Sequence, residues 1–132
     1  MSKDSIEDRL AIRERIEAYS DAVFRRDATD WIANWSDEAV WRLPGLEVSG
    51  KPQILAAWTQ AMDGFDLAGF FATPGMIEVD GATARARVYT QEVLVGRDGK
   101  VLRIVGVYDD RLDKTGGAWL FTERSYTVLH AQ

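Results

Sequence analysis

The chain has 132 residues, of which 46% are hydrophobic and 28% are charged, and this composition is typical of one globular domain rather than of a disordered chain. A formal net charge of -5 without clustered Lys and Arg argues against nucleic acid as the main partner, because phosphate binding needs concentrated positive charge. No Cys is present, which excludes disulfides and thiol catalysis and favours a reducing, cytoplasmic setting.

The first predicted helix follows Ser5, which can act as an N-cap with Asp8 as its capping-box partner. The residues before it are charged, and no segment is apolar enough to predict a signal peptide or a membrane span. Apolar side chains recur along the helix at steps of four, three and four, which places them on one face. These residues are Ile12, Ile16, Tyr19 and Val23.

A second, short helix is predicted after a break in this pattern, with Asp27 or Thr29 as its cap. Its apolar residues are Trp31, Ile32 and Trp35. The segments EAVWRLPG and LEVSG then predict two short strands. Pro52, a favourable first-turn residue, opens a third helix. The apolar face of that helix comprises Ile54, Leu55, Trp58 and Met62.

From Asp66 onward the apolar period changes to two, which predicts long antiparallel strands. DLAGFFATPGMIEVDG predicts two strands separated by an interruption at Pro74 and Gly75. ATARARVYTQEVLVG and VLRIVGVYDDRL predict two more, joined by a tight turn at Asp98 and Gly99, and WLFTERSYTVLH predicts the last strand. The order predicts a single α+β domain over residues 1–132, with helices packed on one face of a bent sheet.

The strand ATARARVYTQEVLVG has two unlike faces. One face is small and apolar and suits packing under the helices; it comprises Ala84, Ala86, Val88 and Thr90. The other face is predicted to point outward, where Arg and Tyr suit either solvent or a dimer contact. It comprises Arg85, Arg87, Tyr89 and Gln91.

This order of elements resembles the SnoaL-like branch of the nuclear transport factor 2-like superfamily. The segments that carry the resemblance are IEAYSDAVFRRDATDWIANWSDEAVW, GKPQILAAW, IEVDGATARARVY and GVYDDRLDKTGGAWLFTER. The resemblance implies a cone-shaped barrel, in which a curved antiparallel sheet wraps around three N-terminal helices and a deep, mostly apolar pocket. It also implies a homodimer formed through the outer face of the sheet.

Catalytic members of this family often carry an acid near the end of the first helix and a His ahead of the IEVDG-type strand. The matching positions here are Phe24 and, at the second, Phe70 or Phe71, and these side chains cannot exchange a proton. The only His is His130, and no EF-hand-like spacing is present, so we expect no metal, and the sequence predicts no cofactor.

Two functions stay open at this point. The first is a cofactor-independent lyase or isomerase, of the dehydratase or cyclase type, acting on a hydrophobic aromatic or polyketide-like compound. The second is a non-catalytic ligand binder or accessory dimeric subunit, which the Phe side chains at the usual Asp and His positions favour. For either function we expect an apolar pocket with few polar groups. The candidate ligand-binding residues are Phe24, Trp41, Trp58, Phe70, Phe71, Met76 and Tyr108.

Two residues are candidates for catalysis. Tyr19 is either a core residue, which we favour because buried Tyr hydroxyls usually find one partner, or a phenol that polarises a substrate carbonyl. Asp110 shares a strand face with Tyr108 and Gly106, and Gly106 leaves room for a close neighbour. A desolvated Asp110 could act as a base, but we favour an ion pair with Arg124 across the hairpin.

Overall fold

A computed structural model of the protein describes residues 5–132. Three helices and six strands follow one another in the predicted order, except that two predicted strands form a single one, and the α+β class is confirmed. The helices are α1 (Ile6–Arg25), α2 (Ala28–Ile32) and α3 (Lys51–Met62). The strands are β1 (Trp35–Leu43), β2 (Leu46–Ser49), β3 (Phe65–Asp80), β4 (Thr83–Gly96), β5 (Val101–Thr115) and β6 (Ala118–Ala131). Within residues 5–132, no helix is both long and apolar enough to cross a membrane.

All six strands form one curved sheet in the order β2-β1-β6-β5-β4-β3. Neighbouring strands are antiparallel except β1 and β6, which pair in parallel. The sheet is therefore mixed rather than wholly antiparallel, and β2 and β3 remain as edges, so the cone does not close into a barrel. The helices cover the concave face, with α1 packed mainly against β3.

The first helix begins as predicted. The Ser5 side chain accepts a hydrogen bond from the Asp8 backbone N–H at 3.0 Å, and the Ser5 hydroxyl donates to the Asp8 carboxylate at 2.8 Å. This exchange satisfies one of the N–H groups that a helix start leaves without an intrahelical partner. The predicted inner face is also confirmed, because its four apolar residues are buried in the core.

The prediction that Trp35 belongs to the second helix is wrong. Helix α2 ends at Ile32, and Trp35 is the first residue of β1. Asn34 explains the break: its side-chain N–H₂ group donates to the backbone oxygens of Asp30 and Trp31, and its own backbone oxygen accepts from Phe121 N–H. The amide therefore caps the helix end while the backbone already pairs with β6.

The predicted interruption at Pro74 and Gly75 is also wrong, because β3 runs through both residues as one strand. The register with β4 shifts between Pro74 and Met76, which marks a bulge. Proline is tolerated here because β3 is an edge strand and needs no N–H on its open side.

The two predicted faces of β4 are confirmed. The small apolar face toward the helices is buried, and the face with Arg85, Arg87, Tyr89 and Gln91 is exposed. The core is strongly aromatic, and Trp31, Trp35 and Trp119 are all buried in it.

Candidate functional site

A cavity of about 180 Å³ lies between α1, α3 and the concave face of the sheet. Its wall is mostly aromatic and aliphatic, with a few polar groups. The polar or titratable side chains that line it are Tyr19, Glu92, Tyr108 and Tyr126. The principal apolar ones are Trp41, Trp58, Met62, Phe65, Phe70 and Leu94. An apolar pocket with a few convergent polar groups is the usual form of a small-molecule site.

Several of the predicted site residues come together in this cavity. The structure places Trp41, Trp58, Phe70 and Tyr108 on its wall, together with the candidate catalytic residue Tyr19. The remaining predicted ligand-binding residues lie elsewhere. Those residues are Phe24, Phe71 and Met76.

Phe24 and Phe71 pack edge to face, with ring centroids 5.1 Å apart, and both are exposed. They meet beside β3, at the edge of the sheet and outside the cavity. Met76 lines a separate surface depression beside Arg42 and Arg85. These three side chains therefore have no contact with the cavity interior.

Asp110 and Arg124 form the ion pair that the sequence favoured, and that prediction is confirmed. Asp110 Oδ1 and Oδ2 accept from Arg124 Nε and Nη2 at 2.7 and 3.0 Å, which is a bidentate arrangement. Both side chains are buried, and the two residues are direct register partners on β5 and β6. Burial raises the pKa of the Asp110 carboxyl, while the charge of Arg124 opposes that rise. Asp110 does not line the cavity.

The Arg124 guanidinium is also enclosed by aromatic rings. Its central carbon lies 3.9 Å from the ring centroid of Tyr108, 4.2 Å from that of Phe121 and 4.4 Å from that of Tyr19. Cation–π contacts of this kind strengthen when the cation is desolvated. The pair therefore forms part of the packed core and contacts two residues of the cavity wall, Tyr19 and Tyr108.

The hydroxyls of Tyr19 and Tyr108 remain protonated donors at neutral pH. Burial raises the pKa of Tyr19, with Arg124 opposing the rise, and burial raises the pKa of Tyr108 well above its usual range. Trp41 Nε1 donates to Tyr108 Oη at 3.0 Å, which fixes the phenol in place. Since that bond uses a lone pair of Tyr108, its own O–H can donate, and the Tyr19 hydroxyl is a hydrogen-bond partner within reach.

Glu92 is the titratable cavity residue that the sequence analysis missed. Tyr126 Oη donates to Glu92 Oε2 in a short hydrogen bond, and Thr90 Oγ1 lies 3.0 Å from Tyr126 Oη. Burial raises the pKa of Glu92, and the hydrogen bond from Tyr126 opposes that rise. Across the part of the chain that the structure describes, Glu92 has no ion pair.

A signal for Glu92 was present in the sequence. Every second residue of β4 was predicted to point inward as far as Thr90. The same step of two continues to Glu92 and Leu94, and both line the cavity. The prediction that Gly106 leaves room for a close neighbour is confirmed, because a Cβ there would lie 2.2 Å from Tyr126 Oη. The neighbour is therefore the phenol that binds Glu92.

Comparisons with known proteins agree with this architecture. A structure from Novosphingobium aromaticivorans, assigned as a candidate aromatic ring hydroxylase, is 26% identical, with 97% of this chain and 93% of that chain covered at a TM-score of 0.90. A candidate scytalone dehydratase from the same species is 15% identical, with 96% and 87% covered at a TM-score of 0.90. The type 3 hexachlorocyclohexane dehydrochlorinase from Novosphingobium barchaimii is 16% identical, with 96% and 90% covered at a TM-score of 0.87.

At such identities, the second and third likenesses show the fold alone. No functionally curated protein matches the sequence. The family model of the SnoaL-like domain matches residues 4–125. Since that match spans nearly the whole sequence, the chain belongs to the SnoaL-like domain family, with the fold of the nuclear transport factor 2-like superfamily.

Proposed function

We propose that the protein binds a hydrophobic molecule with a single ring in the cavity and acts on it as a cofactor-independent lyase or isomerase. The observation that carries this proposal is the cavity itself, an aromatic enclosure into which three phenols and one carboxyl converge. The names of two structural neighbours, a dehydratase and a dehydrochlorinase, denote eliminations and support the lyase class.

The size of the cavity narrows the substrate class. Pockets for drug-sized ligands have volumes of roughly 300–1,000 Å³, whereas an apolar cavity of about 150 Å³ holds one benzene. A volume of about 180 Å³ therefore suits a monocyclic compound better than a fused polyketide. This restricts the wider class of aromatic or polyketide-like compounds to its smallest members.

The phenols supply the means to act on a carbonyl or hydroxyl group of the ligand. Tyr108 is held by Trp41, and Tyr19 lines the same wall. A donor that is fixed before the reaction stabilises negative charge on an oxygen, and one such donor contributes roughly 10²–10³ in rate. The site therefore supports chemistry that passes through an enolate or a developing alkoxide.

The proposal includes a homodimer formed through the outer face of the sheet and a cytoplasmic location. Exposed apolar side chains on that face support the dimer; they are Phe71, Tyr89 and Val105. The absence of Cys supports a reducing compartment. Sedimentation of the purified protein over a range of concentrations tests the homodimer directly.

Calorimetric titration with phenol and with 2-naphthol tests the cavity. We expect phenol to bind the wild type at least about ten times more tightly than 2-naphthol, because the second ring exceeds the volume. Leu94→Trp adds bulk to the cavity wall and should weaken phenol binding by a similar factor. Val93→Trp adds the same group one residue away, on the other face of β4, and should leave binding unchanged. Equal affinity of phenol for the wild type and both variants would contradict binding in this cavity.

A second candidate function, a ligand binder without catalysis, is favoured by Phe24 and Phe70 at positions where catalytic relatives carry proton-transfer groups. Binding of monocyclic ketones without any proton exchange or chemical change would decide in its favour. Turnover of a bound ketone would exclude it.

A further inference from the structure

Three adjacent strands together build the environment of Glu92. Tyr126 projects from β6, crosses β5 above Gly106 and reaches Thr90 and Glu92 on β4. Gly106 is the register partner of Thr90 on one side and of Val128 on the other, so it lies directly beneath this path. The contact thus joins β6 to β4 across the intervening strand β5.

Gly106 makes the crossing possible. A Cβ at this position would lie 2.2 Å from Tyr126 Oη and 2.4 Å from Cζ, and such distances do not occur between real atoms. A side chain at this position would therefore clash with the phenol that binds Glu92. The φ angle of Gly106 is not in the left-handed region, so the requirement for Gly here comes from space and not from backbone conformation.

One oxygen of Glu92 is left for a ligand. Oε2 accepts from Tyr126, whereas Oε1 accepts no hydrogen bond from residues 5–132. Glu92 lines the cavity, and so does its register partner on β3, Phe70. A bound monocyclic molecule would therefore meet the free oxygen of a carboxyl whose other oxygen is held by the protein.

The groups that face Glu92 leave its charge uncompensated. The titratable groups on the same wall are the phenols of Tyr19 from α1, Tyr108 from β5 and Tyr126 from β6. Helix α3 and strands β1 and β3 contribute only uncharged side chains to that wall. The nearby charges of Arg124 and Asp110 are paired with each other beside Tyr108. Burial therefore raises the pKa of Glu92, with only the Tyr126 hydroxyl opposing the rise.

The hydroxyl chain suits both protonation states of the carboxyl. When Glu92 is ionised, Tyr126 donates to it and Thr90 donates to Tyr126. When Glu92 Oε1 carries a proton, Oε2 still accepts from Tyr126, and Tyr126 still accepts from Thr90. Neither state leaves a buried hydroxyl unpaired, which is what a group that gains and loses a proton in each cycle requires.

We propose that Glu92 is the catalytic residue that removes and returns a substrate proton, and that Tyr126, seated over Gly106, is its positioning residue. This inference rests on the proposed function, because the carboxyl acts on a molecule bound in the cavity. Glu92 Oε1 takes a proton from a carbon next to a carbonyl group, and the electron pair of the broken C–H bond forms the C=C bond of an enolate. The enolate oxygen carries the charge and accepts from a cavity phenol. Return of the proton from Glu92 to the same carbon regenerates the ketone and restores the carboxylate. In a substrate whose enolate is conjugated with a second C=C bond, return of the proton to the far carbon of that system gives the isomer instead.

Exchange of the α-protons of cyclohexanone in D₂O, followed by proton NMR, tests the catalytic role. We expect the wild type to accelerate exchange and Glu92→Gln to lower the rate about 100-fold, the lower range for general-base catalysis. The matched control is Glu38→Gln, which alters an exposed carboxylate on β1 and should leave the rate unchanged. Exchange by Glu92→Gln at the wild-type rate overturns the proposal.

The pH profile tests the positioning role. The rate should rise with pH as Glu92 ionises, and Tyr126→Phe should move the midpoint to higher pH, because a hydrogen bond that favours the carboxylate is lost. We expect this variant to lower kcat with little change in KM, and Tyr89→Phe on the outer face to change neither. Gly106→Ala should reproduce the shift. Should that variant fail to fold, Thr90→Val removes the donor to Tyr126 without changing shape and should move the midpoint the same way. An unmoved midpoint in Tyr126→Phe overturns the positioning role.

Titration of the ligand-free protein by carbon-13 NMR separates failure of this inference from failure of the proposed function. If calorimetry shows that cyclohexanone does not bind, the proposed substrate class is wrong. The Glu92 carboxyl signal, assigned by its loss in Glu92→Gln, then decides the present proposal. A midpoint above that of exposed Glu residues, raised further in Tyr126→Phe, supports it, and an ordinary midpoint that Tyr126→Phe does not move overturns it.

Discussion

Replacement of Asp110 by Asn should destabilise the protein strongly. The variant keeps the shape of the side chain but removes its charge, which leaves the Arg124 guanidinium, at 0% exposure, without a counter-ion. Removal of one partner of a buried ion pair costs about 3–5 kcal/mol. The three aromatic rings around Arg124 remain and continue to stabilise the cation. We therefore expect the low end of this range, about 3 kcal/mol of unfolding free energy.

Thermal and urea denaturation measure this loss. An unfolding entropy of about 2.1 cal/mol/K per residue gives about 0.28 kcal/mol/K for 132 residues, so about 3 kcal/mol lowers Tm by about 11 °C. The matched control is Asp109→Asn, one residue away on the exposed face of β5. A surface change of this kind should stay within about 0.5 kcal/mol, or about 2 °C.

The double variant Asp110→Leu/Arg124→Met tests whether the cost arises from the unpaired charge. Replacement of both members of a buried ion pair by apolar groups is often neutral or stabilising, so we expect most of the loss to be recovered. If Asp110→Asn unfolds within about 4 °C of the wild type, the rings alone stabilise Arg124 and the ion-pair reasoning is refuted.

Three further predictions concern titration and packing. Hydrogen bonds from Trp119, Ser5 and Lys114 lower the pKa of Asp8 to about 2, so its contribution to stability should be lost as pH falls from about 4 to 2. The urea midpoint of Asp8→Asn should therefore depend less on pH over that range than the midpoint of the wild type. A wild-type slope in Asp8→Asn would contradict this account. The raised pKa of Glu92 has the opposite effect on stability, because the wild type loses stability as pH rises through the folded pKa. Glu92→Gln should therefore have a higher Tm than the wild type at pH 8 and lose that advantage near pH 4. Leu112→Ala, at a site with 0% exposure, should lower the free energy of unfolding by about 2–5 kcal/mol in urea denaturation. Leu102→Ala on the same strand, at 41% exposure, should lower it by under about 1 kcal/mol. Equal losses would show that burial does not set the cost.

Much of the fold follows from local patterns in the sequence. The helical face of α1 and the two faces of β4 are visible as periods of 3.6 and 2 residues. The two errors arose where a single contact overrode the pattern. Trp35 continues the helical spacing, but the Asn34 amide closes the helix and the chain joins β6. Pro74 is a strand breaker by its chemistry, yet β3 lies at the sheet edge, which is a tertiary fact.

The site was less accessible to prediction. The pairing of Asp110 with Arg124 follows from hairpin register, because the two residues are cross-strand partners. Trp58 lies on the cavity wall because α3 packs over the sheet, whereas Phe71 lies outside because it follows the inward Phe70 on β3 and is on the outer face. Glu92 continues a visible alternation, but its role depends on Tyr126, 34 residues later, and on the space above Gly106. No local pattern contains that contact.

Asp110, which is buried, and Glu92, which is half-buried, differ in what surrounds them, and this difference separates their roles. Asp110 gives both oxygens to a guanidinium, so protonation would break a bidentate pair and leave Arg124 unpaired. Glu92 has a phenol on one oxygen and cavity space at the other, so its proton can come and go without cost to a partner charge. Environments that separate two carboxyls in this way distinguish the structural group from the one that exchanges protons. The ion pair is also enclosed in the core beside Tyr108, whereas Glu92 lines the cavity wall.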